Sequence, residues 1–135
     1  MFSSNENNIH GICDMRTLVV DDARIIRSIL VRTLRSMGIR EIVEAADGRE
    51  AWDAFNASPM DLVLTDWHMP NMDGLELTKR IRAVDPVVPI VMVTVVESRS
   101  WIDEAFTAGI TEFISKPLNR ETIVSKLDRL LPNAI

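Results

Sequence analysis

Five polar residues of this chain lie directly after short apolar segments, and their types suit phosphoryl chemistry. They are two adjacent acids, a third acid, a hydroxyl and an ammonium: Asp21, Asp22, Asp66, Thr94 and Lys116. Clustered carboxylates raise one another's pKa unless a cation lies among them, and oxygen ligands with retained waters suit Mg²⁺. A carboxylate beside that metal can attack a phosphoryl group to form an aspartyl phosphate, whose oxygens the metal, hydroxyl and ammonium would share.

Each of these residues alone has an ordinary structural explanation. An acid after a strand is commonly a helix N-cap, which would account for Asp21 or Asp22. A lysine after a strand is usually solvated, and threonine is common in strands. The functional interpretation therefore depends on all five side chains meeting in one place, which is a question of fold.

The sequence between these residues predicts five strands that alternate with five helices. The strands are expected at 16–20, 40–45, 60–65, 89–94 and 111–115, and the helices at 23–37, 49–56, 74–84, 99–108 and 120–131. Strands joined by helices of this length pair in parallel through right-handed crossovers. We predict an α/β fold with a three-layer, doubly wound, five-stranded parallel sheet, whose carboxyl edge carries the polar residues.

The first predicted helix, 23–37, contains a stripe of apolar residues from Ile25 to Met37 at helical spacing. We expect this stripe to be buried and the arginines of the helix, Arg27 among them, to form a solvated face. The preceding residues 1–14 have no apolar periodicity. They are predicted to be a flexible extension before a single domain at 15–135.

Composition excludes several classes of function. The chain has 135 residues, 47 % of them hydrophobic, and a net charge of −5. These values predict one packed domain without a general affinity for nucleic acid or anionic membranes. No apolar segment approaches the roughly 20 residues of a membrane span. The single cysteine, Cys13, cannot form an internal disulfide, and we expect a cytoplasmic protein.

The segments "VVDD", "LTDWHMPNMDG", "VT" and "SKP" occur in this order, each at the end of a predicted strand. In these segments the chain resembles the receiver domains of two-component response regulators, in particular the stand-alone chemotaxis type. The resemblance extends from about Arg16 to Leu131. It implies a flavodoxin-like (βα)5 receiver domain with strand order 2-1-3-4-5.

The resemblance also implies a role for each residue at this edge. Asp66 would be the phosphoacceptor, and Lys116 and Thr94 would bind the transferred phosphoryl group. The implied Mg²⁺ ligands are three carboxylates and one backbone carbonyl: Asp21, Asp22, Asp66 and the carbonyl of His68. A cis peptide bond before Pro117 is implied as well.

A conformational switch follows from the same resemblance. Phe113 would move inward after Thr94 and so change an output surface on the fourth helix, fifth strand and fifth helix. Phe113 stands where the family often has tyrosine. Trp101 and Ile102 lie on the fourth helix, and Trp101 is open to two interpretations, an exposed partner anchor or ordinary helix packing.

Three residues near the implied acceptor are expected to set its rate and readout. His68 and Val96 occupy the family's two variable positions beside the phosphoryl group. Because Val96 cannot orient an attacking water molecule, we expect slow autodephosphorylation. Trp67 adjoins Asp66, so its fluorescence is expected to report binding of Mg²⁺ or a phosphoryl group.

The expected function is a single-domain response regulator that takes a phosphoryl group from a histidine kinase or histidine phosphotransfer protein. Self-phosphorylation and autodephosphorylation would be its only reactions. Because no DNA-binding or catalytic domain follows Leu131, the expected partner is a downstream protein target, without nucleic acid or membrane insertion. One alternative is a receiver cut from a longer regulator. A Mg²⁺-dependent aspartyl phosphatase is disfavoured, because those enzymes place a second acid where this chain has His68.

Overall fold

The computed structural model describes residues 11–131. Its strands and helices are β1 (Arg16–Val20), α1 (Arg24–Ser36), β2 (Glu41–Ala45), α2 (Gly48–Ala57), β3 (Leu62–Thr65), α3 (Gly74–Val84), β4 (Ile90–Thr94), α4 (Arg99–Ala108), β5 (Glu112–Ser115) and α5 (Arg120–Leu130). The predicted alternation of strands and helices is confirmed, with boundaries that differ from the prediction by one or two residues at most.

The five strands form one parallel sheet in the order β2-β1-β3-β4-β5, which confirms the order 2-1-3-4-5. β1 and β3 are neighbours near its centre, paired from Thr17 with Leu62 to Val20 with Thr65. All residues of β3 and β4 are buried, as expected for strands that are covered on both faces. Because all strands are parallel, the residues after β1, β3, β4 and β5 lie along one edge of the sheet.

Two apolar cores cover the opposite faces of this sheet. One lies under α2, α3 and α4 and includes Leu77 and Ile81, whereas the other lies under α1 and α5 and includes Leu34 and Leu127. Successive residues of β1 alternate between the two cores, because successive side chains of a strand point to opposite faces. The doubly wound, three-layer arrangement is therefore confirmed.

The N-terminal part of the fold departs from expectation in two places. The predicted burial of the whole apolar stripe on α1 is wrong, because Ile25 is 75 % exposed and Ile29 is 38 % exposed. Of the predicted extension, residues 1–10 lie outside the described part of the chain, while Ile12–Asp14 form a short 3₁₀ helix. Ile12 packs against the core under α1 and α5, so apolar packing begins before Met15.

Candidate functional site at the carboxyl edge of the sheet

Three carboxylates lie together where β1 and β3 end. One oxygen atom from each of Asp21, Asp22 and Asp66 lies within 4.8 Å of the others. Asp21 and Asp66 are buried, with 0 % and 8 % of their surface exposed, whereas Asp22 is exposed. The N-cap residue of α1 is Ala23, whose backbone N–H donates to Oδ1 of Asp21 at 2.8 Å. Neither acid occupies the N-cap position, so capping does not account for the cluster.

Lys116 links two of these carboxylates. Its Nζ donates to Oδ2 of Asp21 at 3.0 Å and to Oδ2 of Asp66 at 2.9 Å. Burial raises the pKa of Asp21, and the charge of Asp66 adds to the rise. Burial alone would lower the pKa of Lys116, but its hydrogen bonds to Asp66 and Asp21, together with their charges, raise that pKa above its usual value. One ammonium therefore serves two buried acids, and Asp22 adds a third negative charge.

The position of Asp66 is fixed on several sides. Its backbone N–H donates to the carbonyl of Val20 at 2.9 Å, and its Oδ1 accepts from the backbone N–H of Trp67 at 2.6 Å. Its own carbonyl accepts from the hydroxyl of Thr65 at 2.8 Å. A Cβ atom at Gly74 would lie 1.9 Å from that carbonyl oxygen, so only glycine fits there. Strand pairing and the following loop together fix the orientation of the Asp66 carboxylate.

The loop between β3 and α3 (66–73) is also tied to the start of α2. Asn71, which has a φ of 70°, donates from its side chain to Asp47 at 2.8 Å. Asp47 caps α2 by accepting from the backbone N–H of Glu50 at 2.8 Å. The hydrogen bond from Glu50, helped by that from Asn71, lowers the pKa of Asp47. The predicted cis peptide bond before Pro117 is present.

Thr94 and Phe113 line an apolar pocket between β4, β5 and α4. The other residues of its wall are Trp67, Met92, Val96, Trp101, Ile102, Ala105 and Ile110. Thr94 is buried and Phe113 is half-buried. The ring of Phe113 meets the edge of Phe106 at a centroid distance of 6.4 Å, and Nζ of Lys126 lies 4.3 Å from the Phe113 centroid. The pocket thus lies between Thr94, at the carboxyl edge of the sheet that carries the three acids (the acidic edge), and the ring of Phe113.

Of the two interpretations of Trp101, the structure favours helix packing. Its ring centroid lies 4.9 Å from that of Trp67 and 5.0 Å from that of His68. It is half-buried and packs against the core under α2, α3 and α4, so it is not an exposed anchor in this conformation. His68 is exposed, and the role of its backbone carbonyl as a metal ligand stays a prediction.

Two charged residues near the site were missed by the sequence reasoning. Arg27, predicted to lie on a solvated face, donates from its guanidinium to the carbonyl of Asp21 at 2.6 Å and pairs with Glu44 at 3.1 Å. Lys126 donates to the carbonyl of Phe113 at 2.7 Å as well as lying over its ring. Arg27 lies one turn into the helix that follows Asp22, and this proximity was the available signal.

A doubly wound parallel sheet with three acids and a lysine at its carboxyl edge defines a class, the receiver fold. Residues 17–128 match the family model described as the response regulator receiver domain. The chain belongs to that family. Among the described residues, no helix is long and apolar enough to cross a membrane.

The similar proteins include chemotaxis proteins. Chemotaxis protein CheY1 of Helicobacter pylori is 38 % identical over 120 residues, which cover 87 % of this chain and 97 % of that protein. Chemotaxis protein CheY-3 of Vibrio cholerae is 38 % identical over 119 residues, covering 87 % of this chain and 92 % of that protein.

Solved structures show the same likeness. The CheY4 structure of Vibrio cholerae superposes with a TM-score of 0.81 at 35 % identity, covering 87 % of this chain and 98 % of that chain. The CheX–CheY–BeF3–Mg²⁺ complex of Borrelia burgdorferi gives a TM-score of 0.82 at 27 % identity, covering 86 % of this chain and 88 % of that chain.

Proposed function

We propose that this protein is a CheY-like response regulator that accepts a phosphoryl group on Asp66 and thereby changes a protein-binding surface. The donor is a phosphohistidine of a histidine kinase or phosphotransfer protein, and the recipient of the signal is a downstream protein target. The observation that carries the proposal is the ammonium of Lys116, which lies 3.0 Å from Asp21 and 2.9 Å from Asp66. Chemotaxis regulators among the similar proteins support the choice of pathway class.

The donor atoms of the acidic edge fit Mg²⁺. The cluster offers three carboxylate oxygens within 4.8 Å of one another and contains no sulfur or imidazole ligand, and hard oxygen donors with room for water are what Mg²⁺ prefers. Asp21, Asp22 and Asp66 would hold it, with the backbone carbonyl of His68 as a fourth protein ligand. When bound, the metal supplies positive charge that offsets the mutual repulsion of the acids and of the incoming phosphoryl oxygens.

In the transfer step an oxygen of Asp66 attacks the phosphorus atom. The new O–P bond forms as the P–N bond to the donor histidine breaks, and the electron pair of that bond leaves with the imidazole. Lys116 already lies within hydrogen-bond distance of the Asp66 carboxylate, so its ammonium can neutralise charge on the transferred oxygens. The backbone N–H of Trp67 holds the other carboxylate oxygen in place at 2.6 Å.

The switch proposed for this protein runs from Thr94 to Phe113. A hydroxyl drawn toward the phosphoryl group vacates part of the pocket between the two residues, and the ring of Phe113 moves into it. The phosphoryl group can bias this equilibrium only because it contacts the two states differently. The surface on α4, β5 and α5 that includes Ile102 then differs between the states. Self-phosphorylation and autodephosphorylation are the only reactions we propose for the chain.

Mass measurement after incubation with Mg²⁺ and acetyl phosphate tests the proposal. We expect one added phosphoryl group on the wild type and none on Asp66→Asn. Asp53→Asn is a matched control, because Asp53 lies on α2 with 72 % of its side chain exposed, and it should accept the group normally. A wild type that stays unmodified with acetyl phosphate and with phosphoramidate would overturn the proposal, as would an Asp66→Asn variant that is still modified.

A further inference from the structure

Trp101, in the first turn of α4, joins that helix directly to the two residues that follow Asp66. Its ring lies 4.9 Å from that of Trp67, tilted by 33°, and 5.0 Å from that of His68, tilted by 58°. At such distances aromatic pairs attract one another beyond the effect of buried area. This connection from the acidic edge to α4 does not pass through Phe113.

Trp67 connects this contact to the carboxylate. Trp67 is 7 % exposed and, with Met72, is one of the buried apolar residues of the 66–73 loop. Its backbone N–H donates to Oδ1 of Asp66 at 2.6 Å, and its carbonyl accepts from the backbone N–H of Gly74 at 2.7 Å. A shift of the indole that carries the backbone of Trp67 with it would move the N–H that orients the Asp66 carboxylate.

The capping hydrogen bond and the ion pair of the first turn of α4 are both weak. The capping hydrogen bond from the backbone N–H of Trp101 to Oγ of Ser98 is 3.3 Å long, which is longer than most N–H···O hydrogen bonds. The ion pair of Arg99 with Asp103 spans 4.0 Å, and both side chains are largely exposed, so it contributes little. Trp101 is the residue of this turn that packs against the core under α2, α3 and α4.

We propose that Trp101 is a positioning residue for phosphoryl acceptance at Asp66, acting through Trp67. The same contact makes the first turn of α4 and the acceptor respond to one another, because coupling between two sites is reciprocal. The inference rests on the proposed function and adds a second connection to the one that runs from Thr94 to Phe113. A partner that binds the first turn of α4 and prefers the position of Trp101 that supports Asp66 would then tighten phosphoryl binding at Asp66.

Calorimetric titration with beryllium fluoride in the presence of Mg²⁺ measures the effect, since this probe stands in for the phosphoryl group. We expect Trp101→Ala to weaken binding between about 2-fold and about 10-fold, the range that one aromatic pair supplies. Trp101→Phe should restore most of the affinity. Trp52→Ala is the matched control, because Trp52 is also half-buried but pairs with Phe55 on α2. Equal or tighter binding by Trp101→Ala overturns the inference.

A double-mutant cycle tests whether Trp101 acts through Trp67. In a Trp67→Leu background, Trp101→Ala should have little further effect on beryllium fluoride affinity, whereas an undiminished effect overturns the proposed route. Circular dichroism supplies a readout that does not depend on loading. The close indoles of Trp67 and Trp101 should give the wild type a coupled band in its spectrum. This band should disappear in Trp67→Phe and in Trp101→Phe and persist in Trp52→Phe. Loss of the band only in Trp52→Phe contradicts the contact.

The outcome for the wild type separates the two proposals. If the wild type binds no beryllium fluoride and takes no phosphoryl group from acetyl phosphate, the proposed function fails. If the wild type is loaded normally and Trp101→Ala is loaded equally well, only the positioning role of Trp101 fails.

Discussion

Lys116→Met tests whether one ammonium holds the metal-free acidic edge together. Methionine keeps an unbranched side chain of similar length but removes the charge that lies 3.0 Å from Asp21 and 2.9 Å from Asp66. The side chains of Asp21 and Asp66 are only 1 % and 10 % exposed. Two buried carboxylates would then face one another with no cation between them, an arrangement that destabilises folded proteins strongly.

The magnitude follows from these distances. At an effective dielectric constant of about 20, each of the two contacts is worth roughly 5–6 kcal/mol of Coulomb energy before desolvation is counted. Desolvation offsets much of this gain, and removing one partner of a buried pair typically costs about 3–5 kcal/mol. Burial already raises the pKa of Asp21, so protonation of this acid relieves part of the repulsion. We expect Lys116→Met to lower the free energy of unfolding by about 3 kcal/mol without Mg²⁺.

Urea unfolding with and without Mg²⁺ measures this loss. The metal supplies the charge that the variant lacks, so saturating Mg²⁺ should stabilise Lys116→Met more than the wild type by at least ~1 kcal/mol. Lys126→Met is the control, because Lys126 is a partly buried lysine that pairs with Glu112 at 3.8 Å and has no ion pair with Asp21, Asp22 or Asp66. A loss of less than about 1 kcal/mol without metal, or equal stabilisation of both proteins by Mg²⁺, would show that Lys116 does not offset the repulsion between the buried acids.

Three residues around the site give further tests. Gly74→Ala would place a Cβ atom 1.9 Å from the carbonyl oxygen of Asp66, so urea unfolding should show a loss of about 2–3 kcal/mol, and wild-type stability would contradict the clash. The lowered pKa of Asp47 gives stability that is present above its unfolded value of 3.8 and is lost as the pH falls through the lower folded value. Asp47→Asn keeps the capping oxygen, so its unfolding free energy, measured as the pH falls below 3.8, should lack this component, and an unchanged pH profile would contradict it. Val96→Gln should shorten the lifetime of the phosphoprotein, followed by mass, about 5-fold or more, the value of one hydrogen bond to the attacking water, and an unchanged lifetime would contradict the role of Val96.

The sheet and its acidic edge were predictable because their signals are local. Buried parallel strands are short apolar runs, and the first polar residue after each run marks where the sheet ends. Asp66 follows Leu62–Thr65 in this way, and the parallel topology then brings it beside Asp21 without further information. Lys116 could be placed at the same edge for the same reason, although its two hydrogen bonds could not.

The contacts that depend on how the helices and strands pack against one another were not predictable. Helical periodicity shows that Ile25 shares a face with buried residues of α1, but α1 begins at the edge of the sheet, where its first turn lacks a covering layer. Ile25 is therefore 75 % exposed. The contact of Trp101 with Trp67 depends on the tilt of α4 over a loop that is distant in sequence. The spacing of residues along the chain does not indicate this tilt. The contacts of Arg27 were not predictable for a similar reason. Its guanidinium donates to the backbone carbonyl of Asp21 and pairs with Glu44 on the neighbouring strand, and helical spacing indicates neither contact.

The pairing of β1 with β3 has a consequence for cellular quality control. Val20 pairs with Thr65, and a slip of one residue in this register would turn Asp66 to the opposite face of the sheet. The acceptor exists only after two distant parts of the chain have met in the correct register. Under the proposed function, nascent, heat-damaged or misfolded copies would therefore accept no phosphoryl group, and only correctly paired molecules would be phosphorylated.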